Sequence, residues 1–166
     1  KRGEGTCFTV TFEHRIADEE CIELNQELDV LDGKSVLQGK HVLLVEDNEL
    51  NAEIAMAILE QSGLILDRVE DGLACINRLS EVDADLYDLI LMDIQMPNVN
   101  GYEATRRIRQ FKNLKKASIP ILAMTANAFE EDKKMAMEAG MNGHISKPID
   151  VNALENQIIN LFKKVS

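Results

Sequence analysis

The 166-residue sequence carries 18 Lys and Arg against 29 Asp and Glu, a formal net charge of -11, with 45% hydrophobic residues. That length and apolar content support one full domain with appendages, and the acidic balance excludes a duplex nucleic-acid surface, which needs a basic stripe that these lysines and arginines do not form. No apolar stretch approaches the ~18 residues needed to cross a bilayer, and Cys7, Cys21 and Cys75, odd in number and in no C-x-x-C pair, read as reduced thiols of a cytoplasmic protein.

In chain order, the start Lys1-Arg2-Gly3-Glu4 has neither Met nor an apolar signal core, so the chain reads as a piece of something longer. Phe8, Val10 and Phe12 alternate with Thr9 and Thr11, the period-2 pattern of one half-buried strand. Residues 13–39 hold eight acids against Arg15 and Lys34 with few large apolar groups, a linker composition. Within it, Gly33-Lys34-Ser35 lacks the first glycine and the preceding strand of a phosphate loop. From Lys40 the pattern becomes regular. Strand-like runs at 41–45, 65–69, 89–92, 119–124 and 143–146 alternate with helix-like segments, which predicts a parallel sheet with helices on both faces. The first helix starts at an Asn48 cap and repeats Leu50, Ile54, Ile58 and Leu59 as one apolar stripe up to Gly63. Gly72 to Leu79, Tyr102 to Phe111 and Glu130 to Ala139 follow. Asp150 caps the last helix, which carries Val151, Leu154, Ile158 and Leu161 on one stripe. Five strands and five helices in one α/β domain account for residues 40–166.

Three apolar runs stop on a charged residue: Val42-Leu43-Leu44-Val45 on Glu46-Asp47, Leu89-Ile90-Leu91-Met92 on Asp93, and Gly143-His144-Ile145-Ser146 on Lys147-Pro148. In an open parallel sheet, ligands gather beyond the carboxyl ends of the strands, so three acids and one lysine would meet at one edge. Acids crowded in this way raise one another's pKa unless a cation sits among them, and carboxylate oxygens with water suit Mg²⁺. Carboxylate, Mg²⁺ and lysine together make a site for a transferring phosphoryl group, and one carboxylate can be the nucleophile. The fourth strand delivers Thr125, a hydroxyl able to donate to a phosphoryl oxygen, followed by Ala126, small enough to leave room. Each motif has a plainer reading beside this one. Glu46-Asp47-Asn48 could cap a helix, Asp93 could be a turn acid before Pro97, Thr125 an ordinary strand end, and Lys147-Pro148 a turn. His14, His41 and His144 show no mutual metal-ligand spacing, and Met135, Met137 and Met141 read as packing and partner surface.

These residues carry a resemblance. From Lys40 to Val165, Val45-Glu46-Asp47-Asn48, Met92-Asp93-Ile94-Gln95-Met96-Pro97-Asn98-Val99-Asn100-Gly101, Ala123-Met124-Thr125-Ala126-Asn127-Ala128, Gly140-Met141-Asn142-Gly143 and Lys147-Pro148 resemble a response-regulator receiver domain. They most resemble the receivers fused to hybrid sensor histidine kinases. The resemblance implies a doubly wound, flavodoxin-like fold with strand order 2-1-3-4-5. It implies Asp93 as phosphoacceptor, with Mg²⁺ held by Asp47, Asp93, the Gln95 carbonyl and, through water, Glu46. Thr125 and Lys147 would contact the phosphoryl group, a cis Lys147-Pro148 peptide aiming the lysine, while Gln95 and Asn127 tune hydrolysis. Thr125 and His144 would form the switch, although the family usually carries Tyr or Phe where His144 stands. The implied partner is a histidine kinase domain or a histidine phosphotransfer protein. A homodimer through the fourth helix, fifth strand and fifth helix stays open.

Upstream, Gly3-Glu4-Gly5-Thr6-Cys7-Phe8-Thr9-Val10 is similar to the last glycine box and closing strand of a histidine-kinase ATP-binding domain, which makes residues 1–12 its remnant and 13–39 an acidic linker. The rest of that kinase is missing, so the chain would receive phosphoryl groups without phosphorylating itself from ATP, and any enzymatic turnover would be self-catalysed phosphotransfer and dephosphorylation. The parent protein would place the domain in the cytoplasm, with an anchor at the inner face of the membrane left open. No output domain follows within the sequence, so an effect on transcription would pass through another protein. Two rival classes remain. A haloacid-dehalogenase-type phosphatase needs a second acid two residues after its nucleophile, where Gln95 stands, and a phosphorylation-independent interaction module would keep the acids for capping or metal alone.

Overall fold

The computed structural model describes residues 35–126 and 130–165. The aliphatic runs form five strands, β1 (His41–Val45), β2 (Ile65–Val69), β3 (Leu89–Asp93), β4 (Ile121–Thr125) and β5 (Gly143–Ser146). All pair in parallel, in the order β2-β1-β3-β4-β5. The connecting helices are α1 (Glu49–Gln61), α2 (Gly72–Glu81), α3 (Gly101–Arg109), α4 (Glu130–Ala139) and α5 (Val151–Val165). This is the doubly wound arrangement expected of alternating strands and helices.

Strand side chains alternate between two cores, because successive residues of a strand point to opposite faces. Leu43, Val45, Ile90, Met92, Ile121 and Ala123 pack with Cys75 and Leu79 of α2, Ala104 and Ile108 of α3, and Ala136 of α4. Val42, Leu44, Leu89, Leu91, Leu122 and Met124 pack with Ala52, Ala55 and Leu59 of α1 and with Leu154 and Ile158 of α5. Every residue of β3 and β4 is buried, which is why those strands read as continuous apolar runs.

Helix starts follow the capping residues. Asn48, Asp71 and Asn100 accept hydrogen bonds from the backbone N–H three residues on, at Asn51, Ala74 and Glu103, and Asp150 does the same for Ala153 at 3.0 Å. Each side chain satisfies a donor that the first helical turn leaves unpaired.

Four expectations change. Of the stripe assigned to α1 only Leu59 is buried against the sheet: Leu50 and Ile54 are 65% and 52% exposed, and the helix packs through Leu59 together with Ala52 and Ala55, whose small side chains allow a close approach. The fourth strand begins at Ile121, not Ile119, because Pro120 has no N–H and only its carbonyl joins the ladder, accepting from Ile90 at 2.9 Å. A further one-turn helix, Leu114–Ser118, capped by Asn113, precedes β4, and residues 35–37 are helical, so the helices outnumber the five expected. Leu37, counted with the linker, is fully buried against the α1–α5 face. The strand and remnant expected over residues 1–12, most of the acidic linker, and Asn127 lie outside the described residues.

Candidate active site

Parallel pairing aligns the carboxyl ends of β1, β3, β4 and β5, and the loops that leave them carry the charged residues. Asp93 closes β3 and pairs in register with Met124 of β4, and Thr125 pairs with Ser146 of β5. Glu46, at the end of β1, is held down by backbone: its N–H donates to the Val69 carbonyl at 3.1 Å. Carboxylate oxygens of Glu46, Asp47 and Asp93 lie within 4.8 Å of one another. Glu46 and Asp93 are buried and Asp47 is exposed at the mouth.

Lys147 Nζ donates to Asp93 Oδ2 at 2.7 Å and to Glu46 Oε2 at 2.5 Å. Its backbone N–H donates to the Thr125 carbonyl at 2.7 Å, tying the lysine to the end of β4, and the Lys147-Pro148 peptide is cis. The second Asp93 oxygen accepts from the Gln95 backbone N–H at 3.1 Å. Thr125 is buried at the same edge, with Ala126 exposed beside it and Gln95 exposed on the loop after β3. His144 is partly buried in β5, in register with Ala123.

Burial raises the Asp93 carboxyl above the ordinary aspartate range; the Lys147 ammonium pulls it down and Glu46 pushes it further up. For Lys147, burial lowers the ammonium, but hydrogen bonds and charge from Asp93 and Glu46 outweigh that and leave it raised. One lysine among three acids leaves the edge short of positive charge. An oxygen-only donor set of this kind, part buried and part open to water, fits a hard divalent cation such as Mg²⁺.

Several supporting residues were not legible as site residues. Asn51 Nδ2 donates to Glu46 Oε1 at 3.1 Å, and Arg68 donates to the Glu46 carbonyl from Nε and from its second terminal nitrogen at 3.3 and 3.2 Å. Asn51 looks like any first-turn helix residue. Arg68, a charge inside a strand run, was the one available hint. Gly101 packs so closely that a Cβ there would stand 2.3 Å from the Asp93 carbonyl oxygen. Ile54, Pro148 and Ile149 join Glu46, Asn51 and Lys147 in a groove beside the acids.

The model of the family described as response regulator receiver domain matches residues 42–159. The chain is 37% identical over 164 residues, 99% of its length, to the autoinducer 2 sensor kinase/phosphatase LuxQ of Vibrio parahaemolyticus, of which it covers 18%. It spans between 7% and 18% of the length of the curated relatives it matches. Among solved structures it is similar to the receiver domain of the sensor histidine kinase PA1611 of Pseudomonas aeruginosa, with a magnesium ion coordinated in the active-site cleft (37% identity, TM-score 0.64, covering 73% of this chain and 94% of that one). It also resembles the receiver domain of Ssk1 of Saccharomyces cerevisiae, solved with the histidine phosphotransfer protein Ypd1 (30% identity, TM-score 0.66, covering 74% of this chain and 88% of that chain). No helix among the described residues is long and apolar enough to cross a membrane.

Proposed function

The chain belongs to the response regulator receiver domain family, and on that premise we propose that Asp93 accepts a phosphoryl group from a phosphohistidine in a two-component relay. The observation that carries this assignment is the contact of Lys147 Nζ with both Asp93 Oδ2 and Glu46 Oε2 inside one carboxylate cluster. A lysine fixed against the nucleophile can balance phosphoryl oxygens as charge builds on them.

In this reading Asp93, with its backbone-bonded second oxygen, attacks phosphorus as the donor's nitrogen–phosphorus bond breaks and the leaving imidazole takes up a proton. The product is an acyl phosphate, and water attacking phosphorus later returns the carboxylate and inorganic phosphate. Asp47, Asp93 and the Gln95 carbonyl, with Glu46 acting through water, would hold Mg²⁺, whose charge offsets the crowded acids and the incoming oxygens. Thr125 donates its hydroxyl to the phosphoryl group, Ala126 leaves room for it, and Gln95 and Asn127 regulate the approach of water. Thr125 and His144 carry the response toward α4, β5 and α5, the face that would also serve a homodimer.

The donor is a histidine kinase domain or a histidine phosphotransfer protein. The Ssk1 receiver's complex with Ypd1 and the exposed Leu50 and Ile54 beside the site support a protein that covers this edge. Similarity to a sensor kinase over 99% of the chain supports residues 1–12 as the end of a kinase ATP-binding domain joined by an acidic linker to the receiver. The free, buried Cys75 suits a cytoplasmic setting.

Intact-mass measurement after incubation with Mg²⁺ and a small acyl-phosphate donor tests the assignment. One phosphoryl adduct is expected, absent in Asp93→Asn and after chelation. Folded protein with no adduct would leave a phosphorylation-independent interaction module, and turnover of a simple phosphate ester would point to a phosphatase.

A further inference from the structure

The loop 94–100 between β3 and α3 carries the one proposed metal ligand that is backbone, the Gln95 carbonyl. Side-chain ligands reach an ion by choosing a rotamer, but a carbonyl has only the backbone dihedrals to aim it. Whatever pins this loop therefore sets that ligand. At its base the loop is closed by Gly101 N–H donating to the Ile94 carbonyl at 3.1 Å, and Ile94, Met96 and Val99 are buried in the α2–α4 core. At its crest two bonds cross to the start of α2: Asn98 Nδ2 donates to Asp71 Oδ2 at 2.9 Å, and Gly72 N–H donates to the Val99 carbonyl at 3.2 Å. The approach is close enough that a Cβ on Gly72 would stand 2.5 Å from that carbonyl oxygen. Asn98 sits at φ +62°, a left-handed conformation that asparagine tolerates better than most residues. The other Asp71 oxygen accepts from Ala74 N–H at 2.7 Å, so a single carboxylate both caps α2 and holds the loop.

We infer that Asp71 and Asn98 are positioning residues: the bond between them fixes the 94–100 loop so that the Gln95 carbonyl is preset as a ligand for the divalent cation. This rests on the functional reading above. A mere helix cap would support stability and leave cation affinity alone, so the two roles separate in measurement.

The test is the Mg²⁺ dissociation constant, read by calorimetry on the full chain with no phosphodonor, beside the thermal midpoint of each variant. Asn98→Gly keeps the left-handed backbone and removes the amide. Asp71→Ser keeps a capping oxygen and removes the second acceptor. Asp71→Asn loses the same charge as Asp71→Ser but retains a side chain that can cap α2 and pair with a turned Asn98 amide. Asn98→Gly and Asp71→Ser are expected to bind Mg²⁺ about tenfold more weakly, the lower end of what loss of a ligand-orienting partner causes, with Asp71→Asn largely restored. Wild-type affinity in either of the first two variants, whatever its midpoint, overturns the inference, as does an equal loss in Asp71→Ser and Asp71→Asn, which would report charge alone. The two weakening variants sit at opposite ends of one bond, so either folded variant decides. A wild-type chain that takes up no Mg²⁺ overturns the functional reading and this inference together.

Discussion

Lys147 is the residue on which the site's electrostatics turn. Its side chain is 20% exposed, against 2% for Glu46 and 7% for Asp93, so two nearly dry carboxylates rely on one ammonium. Removing one member of a buried ionic group costs about 3 kcal/mol or more, because the remaining charges lose their partner. Lys147→Met is therefore expected to lower unfolding free energy by about that amount in chelator, with part of it regained in Mg²⁺; urea titrations in both buffers check this. Asp93 supplies a pH prediction. Its carboxyl is raised by burial, so the folded chain holds the proton more tightly than the unfolded chain does. Ionising it costs stability: the cost is absent below the unfolded pKa and fully present above the folded one. Mg²⁺ competes with that same proton. Its affinity should thus begin to fall on acidification above the ordinary aspartate value of 3.8, and calorimetric titrations that stay flat down to about pH 4 would refute the raised carboxyl. At this scale the charged residues were legible because each interrupts or ends an apolar run. Asn51, Asp71 and Asn98 were not, since a polar residue in a helix turn or loop looks the same whether it caps, props or faces water.

Among the elements, α1 and α3 show where local rules stop. The Asn48 cap was legible, and Asn48→Ala should cost about 1 kcal/mol, measurable as a shift in the urea midpoint at constant slope. Helix periodicity, however, finds a stripe without saying what covers it. Leu50 and Ile54 lie on the side of α1 away from Ala52, Ala55 and Leu59, Ile58 is only partly buried between them, and of the stripe the sheet took Leu59 alone, beside two alanines. Gly101 is the opposite case, a choice that propensity argues against. Alanine there would improve helix propensity by up to about 1 kcal/mol, but its Cβ would meet the Asp93 carbonyl oxygen at 2.3 Å, and overpacking of this kind costs about 1 to 3 kcal/mol. Sterics win, so Gly101→Ala is expected to be destabilised and to accept phosphoryl groups more slowly, because relief of the clash moves the nucleophile's own backbone. Equal stability and an unchanged adduct rate would show that α3 can simply shift away.

For the molecule as a whole, the doubly wound sheet gathers the acids, Thr125 and Lys147 at one edge and leaves Leu50 and Ile54 exposed beside them. On the proposed function a phosphohistidine reaches Asp93 across that edge, and the protein carrying it would cover the apolar pair. Ile54→Asp is expected to leave phosphorylation by a small acyl phosphate unchanged while slowing transfer from a phosphohistidine protein by about tenfold, the effect of losing one apolar interface anchor. Equal slowing with both donors would place Ile54 in the chemistry of the site instead, and no slowing with either would remove this face from docking.

Strand number, the order of strands and helices, the Asn48 and Asp150 helix caps and the acid-acid-threonine-lysine set are visible in the amino-acid order, because apolar runs, capping residues and charges at run ends are local signals. Strand adjacency in the sheet, which the family resemblance alone implied and the pairing bears out, the face of α1 that is buried, Leu37 in the core and the bracing of the 94–100 loop by Asp71 and Asn98 depend on contacts between residues far apart in the chain. Packing selects those contacts by volume and by the satisfaction of buried polar groups, quantities that no single window of sequence contains.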